Sequence, residues 1–171
     1  MDHPIAFFIT SKRNWFKTQS TELCRSMSRY HSYLNSAVQI LAQYNGEEPF
    51  ASYLKKYFAQ HRKYGSKDRK WVSHLCYCYF RLGKSAISIP VEERLLMAAF
   101  LCSTQSNELL AALKPAWHER TGLSTDDKIS VLNQEDYRAI YAITDVFPWA
   151  HELSEGIDHE KFCSSFLIQP D

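Results

Sequence analysis

The residues best placed to do chemistry lie in one run, Arg62-Lys63-Tyr64-Gly65-Ser66-Lys67-Asp68-Arg69-Lys70. Gly65 suits a turn, and Ser66 is a favoured helix N-cap. Asp68 falls in the first helical turn, where a negative charge meets the positive end of the helix dipole. Arg62, Lys63, Lys67, Arg69 and Lys70 bring far more positive charge than a helix start needs. Unpaired backbone N–H groups ringed by lysine and arginine make an anion site, and phosphate is the usual anion. The chemistry indicated is binding of a polyanion, RNA or DNA.

Charge is segregated along the chain, although the net value is only +1. Residues 55–84 hold nine Lys/Arg against the single Asp68, a local net of +8, while residues 85–171 carry a local net of −8. One basic segment in a neutral whole suits a protein that grips a polyanion through one patch. The alternative is that the two blocks face each other within one fold.

Other chemistries find little support. The seven histidines form neither HxxxH nor HExxH, and no paired carboxylates are spaced for acid–base work. GxGxxG and GxxxxGK[ST] are both absent. Five cysteines without a CxxC pair suggest neither a disulfide framework nor a zinc site. On a helix Cys76 and Cys78 point roughly 200° apart, at about 100° per residue, so they cannot share a metal. No metal is expected, and a reducing cytoplasm is the simplest setting. No stretch reaches the ~18 apolar residues of a membrane span, so the chain reads as soluble, with no membrane partner.

The elements that must position these residues are helices. Leu34, Ala37, Val38, Leu41 and Tyr44 recur at helical steps until Asn45-Gly46. Pro49 opens a second helix at its first position, carrying Tyr53, Leu54, Tyr57 and Phe58. A third runs from Lys67 to about Leu82, a fourth from Val91 to Cys102, and a short fifth from Asn107 to Leu113. Further helices are predicted over Asp126–Leu132, Glu135–Val146 and Asp158–Phe166. Asp126-Asp127 and Glu92-Glu93 read as helix-start residues. No alternating strand is evident, so the fold class is all-α.

The third helix reads as central. Trp71, Val72, Leu75, Cys78, Tyr79 and Leu82 fall within one arc of about 120° and make its core face. Lys70, His74, Tyr77, Phe80, Arg81 and Lys84 occupy the other side, cations alternating with aromatics as RNA-stacking surfaces require. A helix apolar on nearly all sides is often buried, however, so Tyr77 and Phe80 are expected in the core rather than as base platforms. Asp68 reads as a helix cap, or an ion pair with Arg69 or Arg81, and not as a catalytic group. Residues 1–26 lack a period and read as an atypical arm, loosely attached or docked through its aromatics; residues 27–171 form the helical domain.

Four segments carry a resemblance to a known family. Arg29-Tyr30-His31-Ser32-Tyr33-Leu34, Leu54-Lys55-Lys56-Tyr57-Phe58, Gly65-Ser66-Lys67-Asp68-Arg69-Lys70 and Tyr77-Cys78-Tyr79-Phe80-Arg81-Leu82-Gly83 resemble the N-terminal NusB-like domain of the Sun (Fmu) class of ribosomal RNA cytosine-C5 methyltransferases. The resemblance covers about residues 28–171, with 54–83 its specific part. It implies a NusB-like helical bundle that binds RNA. Family members add a Rossmann-like domain that uses S-adenosylmethionine and two cysteines, one in a Pro-Cys motif. No cysteine here follows a proline, and the catalytic domain is absent. The chain alone is expected to hold no cofactor and to methylate nothing.

Three functions follow. The chain docks ribosomal RNA for a catalytic domain in cis; or it acts alone as an antitermination-like adaptor with a protein partner; or it is a structural module with a solvated basic face. For RNA contact the primary candidates are Lys63, Lys67, Arg69 and Lys70, with Arg81 and Lys84 secondary. Ser66 and Asp68 are the structural cap or ion-pair residues.

Overall fold

The computed structural model describes residues 25–134 and 141–168. Among these residues every regular element is helical, as the periodicity predicts: α1 (residues 25–43), α2 (Phe50–Gln60), α3 (Ser66–Arg81), α4 (Val91–Cys102), α5 (Glu108–Leu113), α6 (Pro115–His118), α7 (Thr125–Gln134) and α8 (His159–Ser165). Two 3-10 turns, Ile143–Val146 and Ala150–Glu152, precede α8. Of the arm expected over residues 1–26, residues 1–24 lie outside the described residues, and residues 25 and 26 are already helical.

Local chemistry sets most helix starts. Pro49 and Pro90 occupy the N-cap positions of α2 and α4, one place before the first-turn site expected for Pro49. The Pro49 carbonyl accepts from the Ser52 and Tyr53 N–H groups. Asn107 caps α5 by accepting from the Leu109 and Leu110 N–H groups, and Asp158 caps α8 by accepting from that of Lys161. Ser124 Oγ accepts from the Asp127 N–H at the start of α7. The short helix α6 was not foreseen; Pro115 sits in its first turn.

The core differs from expectation in one respect. The central helix is α4, in which every residue from Arg94 to Cys102 is buried. Helix α3 packs along it through Val72, Leu75, Cys76, Cys78 and Leu82, and α1 contributes Tyr30, Tyr33, Leu34, Ala37 and Ile40. Because α3 is peripheral, Tyr77 and Phe80 are 43% and 41% exposed and not core. They rest on the Phe50 ring, 5.5 and 4.7 Å away. Trp71 and Tyr79 are half-buried against the core.

The link from α3 to α4 is held from below by Arg94, only 4% exposed. Its Nε donates to the Ser85 carbonyl at 2.9 Å and its Nη2 to the Gly83 carbonyl at 2.5 Å. The guanidinium lies 4.2 Å from the Tyr79 ring centre, a desolvated cation on an aromatic face. Gly83 adopts φ +51, and a β-carbon there would stand 1.8 Å from the Val146 carbonyl oxygen. The link also carries the segment after residue 140. Ser85 Oγ donates to the Ala142 carbonyl and the Lys84 N–H to that of Asp145.

Those bonds explain why the helix expected over Glu135–Val146 is not seen at its end. Residues 135–140 lie outside the described residues, Ala142 is extended at φ −124 and ψ 132, and only a 3-10 turn follows. The carbonyls of Ala142 and Asp145 are taken by the α3–α4 link.

Two substitutions test this junction. Arg94→Leu strands the buried Ser85 carbonyl and the part-buried Gly83 carbonyl and is expected to cost about 2 kcal/mol, while Gly83→Ala collides with backbone and costs more than about 2 kcal/mol. Urea unfolding at unchanged m-value measures both; a loss within error of wild type would overturn the assignment.

Candidate nucleic-acid interface

Gly65, not Ser66, is the N-cap of α3, and Ser66 is the first helical residue. The reason is Asp68, three residues on from Gly65. Its Oδ2 accepts from the Gly65 N–H at 2.9 Å, the reciprocal half of a capping box, and glycine supplies no side chain for the other half. Its Oδ1 accepts from the Tyr33 hydroxyl at 2.6 Å. The cap reading of Asp68 therefore holds, and no ion pair to Arg69 or Arg81 occurs among the described residues. Asp68 occupies the Gly65 N–H and places a negative charge at this helix start.

The six candidate cations separate. Lys67 and Lys70 line a cavity of about 610 Å3. Lys63 lines a second groove of about 490 Å3 beside the polar face of α1, including His31, Asn35 and Gln39. Arg69 turns back, its Nε donating to the Tyr64 carbonyl and its guanidinium lying 5.9 Å from the Phe58 ring centre. Arg81 Nη1 donates to the Phe166 and Ile168 carbonyls at 2.8 and 2.7 Å, which ties the end of the described chain to α3. Lys84 is exposed on the α3–α4 link.

The larger cavity has two walls. Lys67, Lys70, Trp71 and His74 recur at three- and four-residue steps along the side of α3; Cys102 and loop 103–107 stand opposite. Among the described residues no carboxylate lines it. The loop is fixed from behind. Ser103 Oγ donates to the Ala99 carbonyl, Asn107 Nδ2 donates to Ser103 Oγ, and the buried Lys128 ammonium donates to the Ser103 carbonyl. Lys128 lies over the Phe100 ring, and burial pushes its pKa down. Thr104, Gln105 and Ser106 are exposed.

Electrostatics divide the labour within the site. Burial, reinforced by Arg81 and Lys70, holds the His74 imidazole below its ordinary pKa, so the ring is neutral at pH 7. Its Nε2 lies 3.6 Å from Cys78 Sγ, and a hydrogen bond from Cys78 lowers the Cys102 thiol. Glu108 accepts from the Tyr30 hydroxyl at 2.6 Å and stands in the field of Lys67. The cavity thus offers two cations, an indole, a neutral imidazole and a polar loop. Among the described residues no group of three His, Cys, Asp or Glu could hold a metal ion, and no helix is long and apolar enough to cross a membrane.

Lys67 and Lys70 are the two lining residues expected from the sequence; Trp71 packs against the core as expected and also lines the cavity, and loop 103–107 was not expected there. The spacing from Lys67 to Trp71 and from Lys70 to His74 is the signal that could have joined them. In comparison with known proteins, the chain matches no family, no curated protein and no solved structure.

The Asp68 bonds set an acid limb of stability. The Tyr33 hydroxyl, then the Gly65 N–H, hold its carboxyl below the usual range, while burial and Asp68 push the Tyr33 phenol up to about 12. A depressed acid contributes stability that is complete above its unfolded pKa and lost as pH falls through the folded one. Wild type should therefore lose stability below about pH 4. Tyr33→Phe should be less stable at neutral pH and show a shallower acid limb. Parallel acid limbs in chemical-denaturation series would count against the bond.

Proposed function

We propose that this chain is an RNA-binding helical domain of the NusB-like type, which docks ribosomal RNA for an S-adenosylmethionine-dependent cytosine-C5 methyltransferase domain. The observation that supports this most is the cavity wall on α3, where Lys67 and Lys70 stand beside Trp71 and His74 with no carboxylate among the described lining residues. Cations hold backbone phosphates, and an aromatic side chain offers an unpaired base a surface to stack on. Lys63, on its separate groove, extends the basic surface towards α1. Arg81 serves the fold first, since its guanidinium holds two main-chain carbonyls.

A second reading, the stand-alone antitermination-like adaptor, draws support from the exposed aromatic pair Tyr77 and Phe80 on Phe50. Such a patch suits a protein partner.

Lys67→Ala with Lys70→Ala is expected to weaken RNA binding. It should also flatten the slope of log K against log salt by about 1.4, at about 0.7 per single-strand phosphate contact. Binding measured at several salt concentrations decides this. An unchanged slope would remove the two lysines from the interface, and no binding at low salt would remove the RNA function.

A further inference from the structure

Resting on that reading, we infer that the cavity between α3 and loop 103–107 holds one unstacked nucleotide of an RNA single strand. Its phosphate lies at Lys67 and Lys70, its base lies against Trp71 and His74, and the base edge faces the loop.

Four observations carry this. The volume, about 610 Å3, lies within the roughly 300–1,000 Å3 of small-ligand sites, so the cavity takes a discrete unit rather than a flat duplex face. The α3 wall sets each cation one helical turn from a ring, Lys67 from Trp71 and Lys70 from His74, so a phosphate and its base can be held side by side. A neutral imidazole suits a base better than it suits a phosphate. Finally, the opposite wall ends in Thr104, Gln105 and Ser106, exposed side chains that make no hydrogen bond among the described residues. A glutamine amide and two hydroxyls can donate to and accept from any base edge. The loop that presents them is braced by Asn107 and Lys128, so it is set in place before a ligand arrives.

Indole stacking needs an open face of Trp71. The ring lies parallel to Tyr33 at 6.5 Å and steeply inclined to Tyr30 at 5.7 Å, and the half-buried side chain lines the cavity.

The test uses the full chain with a labelled single-stranded RNA dodecamer, the same sequence as a duplex, and a free ribonucleoside 5′-monophosphate as competitor. Anisotropy at low salt should give single-strand binding at least about tenfold tighter than duplex binding. Trp71→Leu should lose most of that margin while keeping the wild-type salt slope. Gln105→Ala with Ser106→Ala, both exposed and outside the core, should lower single-strand affinity several-fold and serves if Trp71→Leu fails to fold. Equal binding of single strand and duplex with a steep salt slope would overturn the nucleotide slot and leave the RNA reading intact. Competition by the free monophosphate at the oligonucleotide's own concentration would overturn RNA as the source. Failure of either RNA to bind would overturn both readings.

Discussion

Two phenol hydroxyls on α1 fix the starts of two other helices, and the cavity depends on them. Tyr30 and Tyr33 lie three residues apart on one face of α1 and donate, each at 2.6 Å, to Glu108 at the start of α5 and Asp68 at the start of α3. Both carboxylates sit in a first turn, where the helix dipole favours the ionised form that accepts most strongly. Trp71 packs on both tyrosine rings, which also meet each other edge-on. The spacing of α3 and α5 from α1 is thereby set, and with it the gap between the lysine-bearing wall and the loop that leads into α5.

The opposite end of α3 is governed by a different rule. Beyond that end the chain turns into the link to α4, and Arg94 of α4 meets the Gly83 and Ser85 carbonyls of the link from within the core. Among the described residues no carboxylate pairs with this guanidinium; main-chain oxygens and the Tyr79 face replace water. With Arg81 reaching the Phe166 and Ile168 carbonyls, arginine at this end works on backbone oxygen. The basic content of α3 thus has two uses, with lysines open to a ligand near its start and an arginine committed to the fold near its end.

Much of the fold was legible because helices announce themselves locally. The Pro90 start and Cys102 end of α4, the Asn107 cap and the Asp158 cap all follow from single residues. What could not be read depends on partners distant in sequence. Ser66 looked like the cap, but the Asp68 carboxylate, held by Tyr33 35 positions away, closes on the Gly65 N–H and the helix starts one residue earlier. Tyr77 and Phe80 looked buried because their helix is apolar on most sides, yet α4 occupies the centre instead. The cavity joins Lys67 to a loop that begins 36 residues later, and the loop's Ser-Thr-Gln-Ser-Asn composition is ordinary for a connection.

The self-capped start of α3 has a consequence for how such a surface changes over generations. In many anion sites the main chain does the holding, and losing the function means altering the backbone. Here Asp68 has already claimed the Gly65 N–H, and the lysines that line the cavity are side chains projecting from a finished helix. Exchanging a few of them could redirect the domain to another partner while Tyr33, Asp68 and Arg94 keep the architecture unchanged. Most of the scaffold and most of the cavity lining are written in separate residues, with Trp71 serving both.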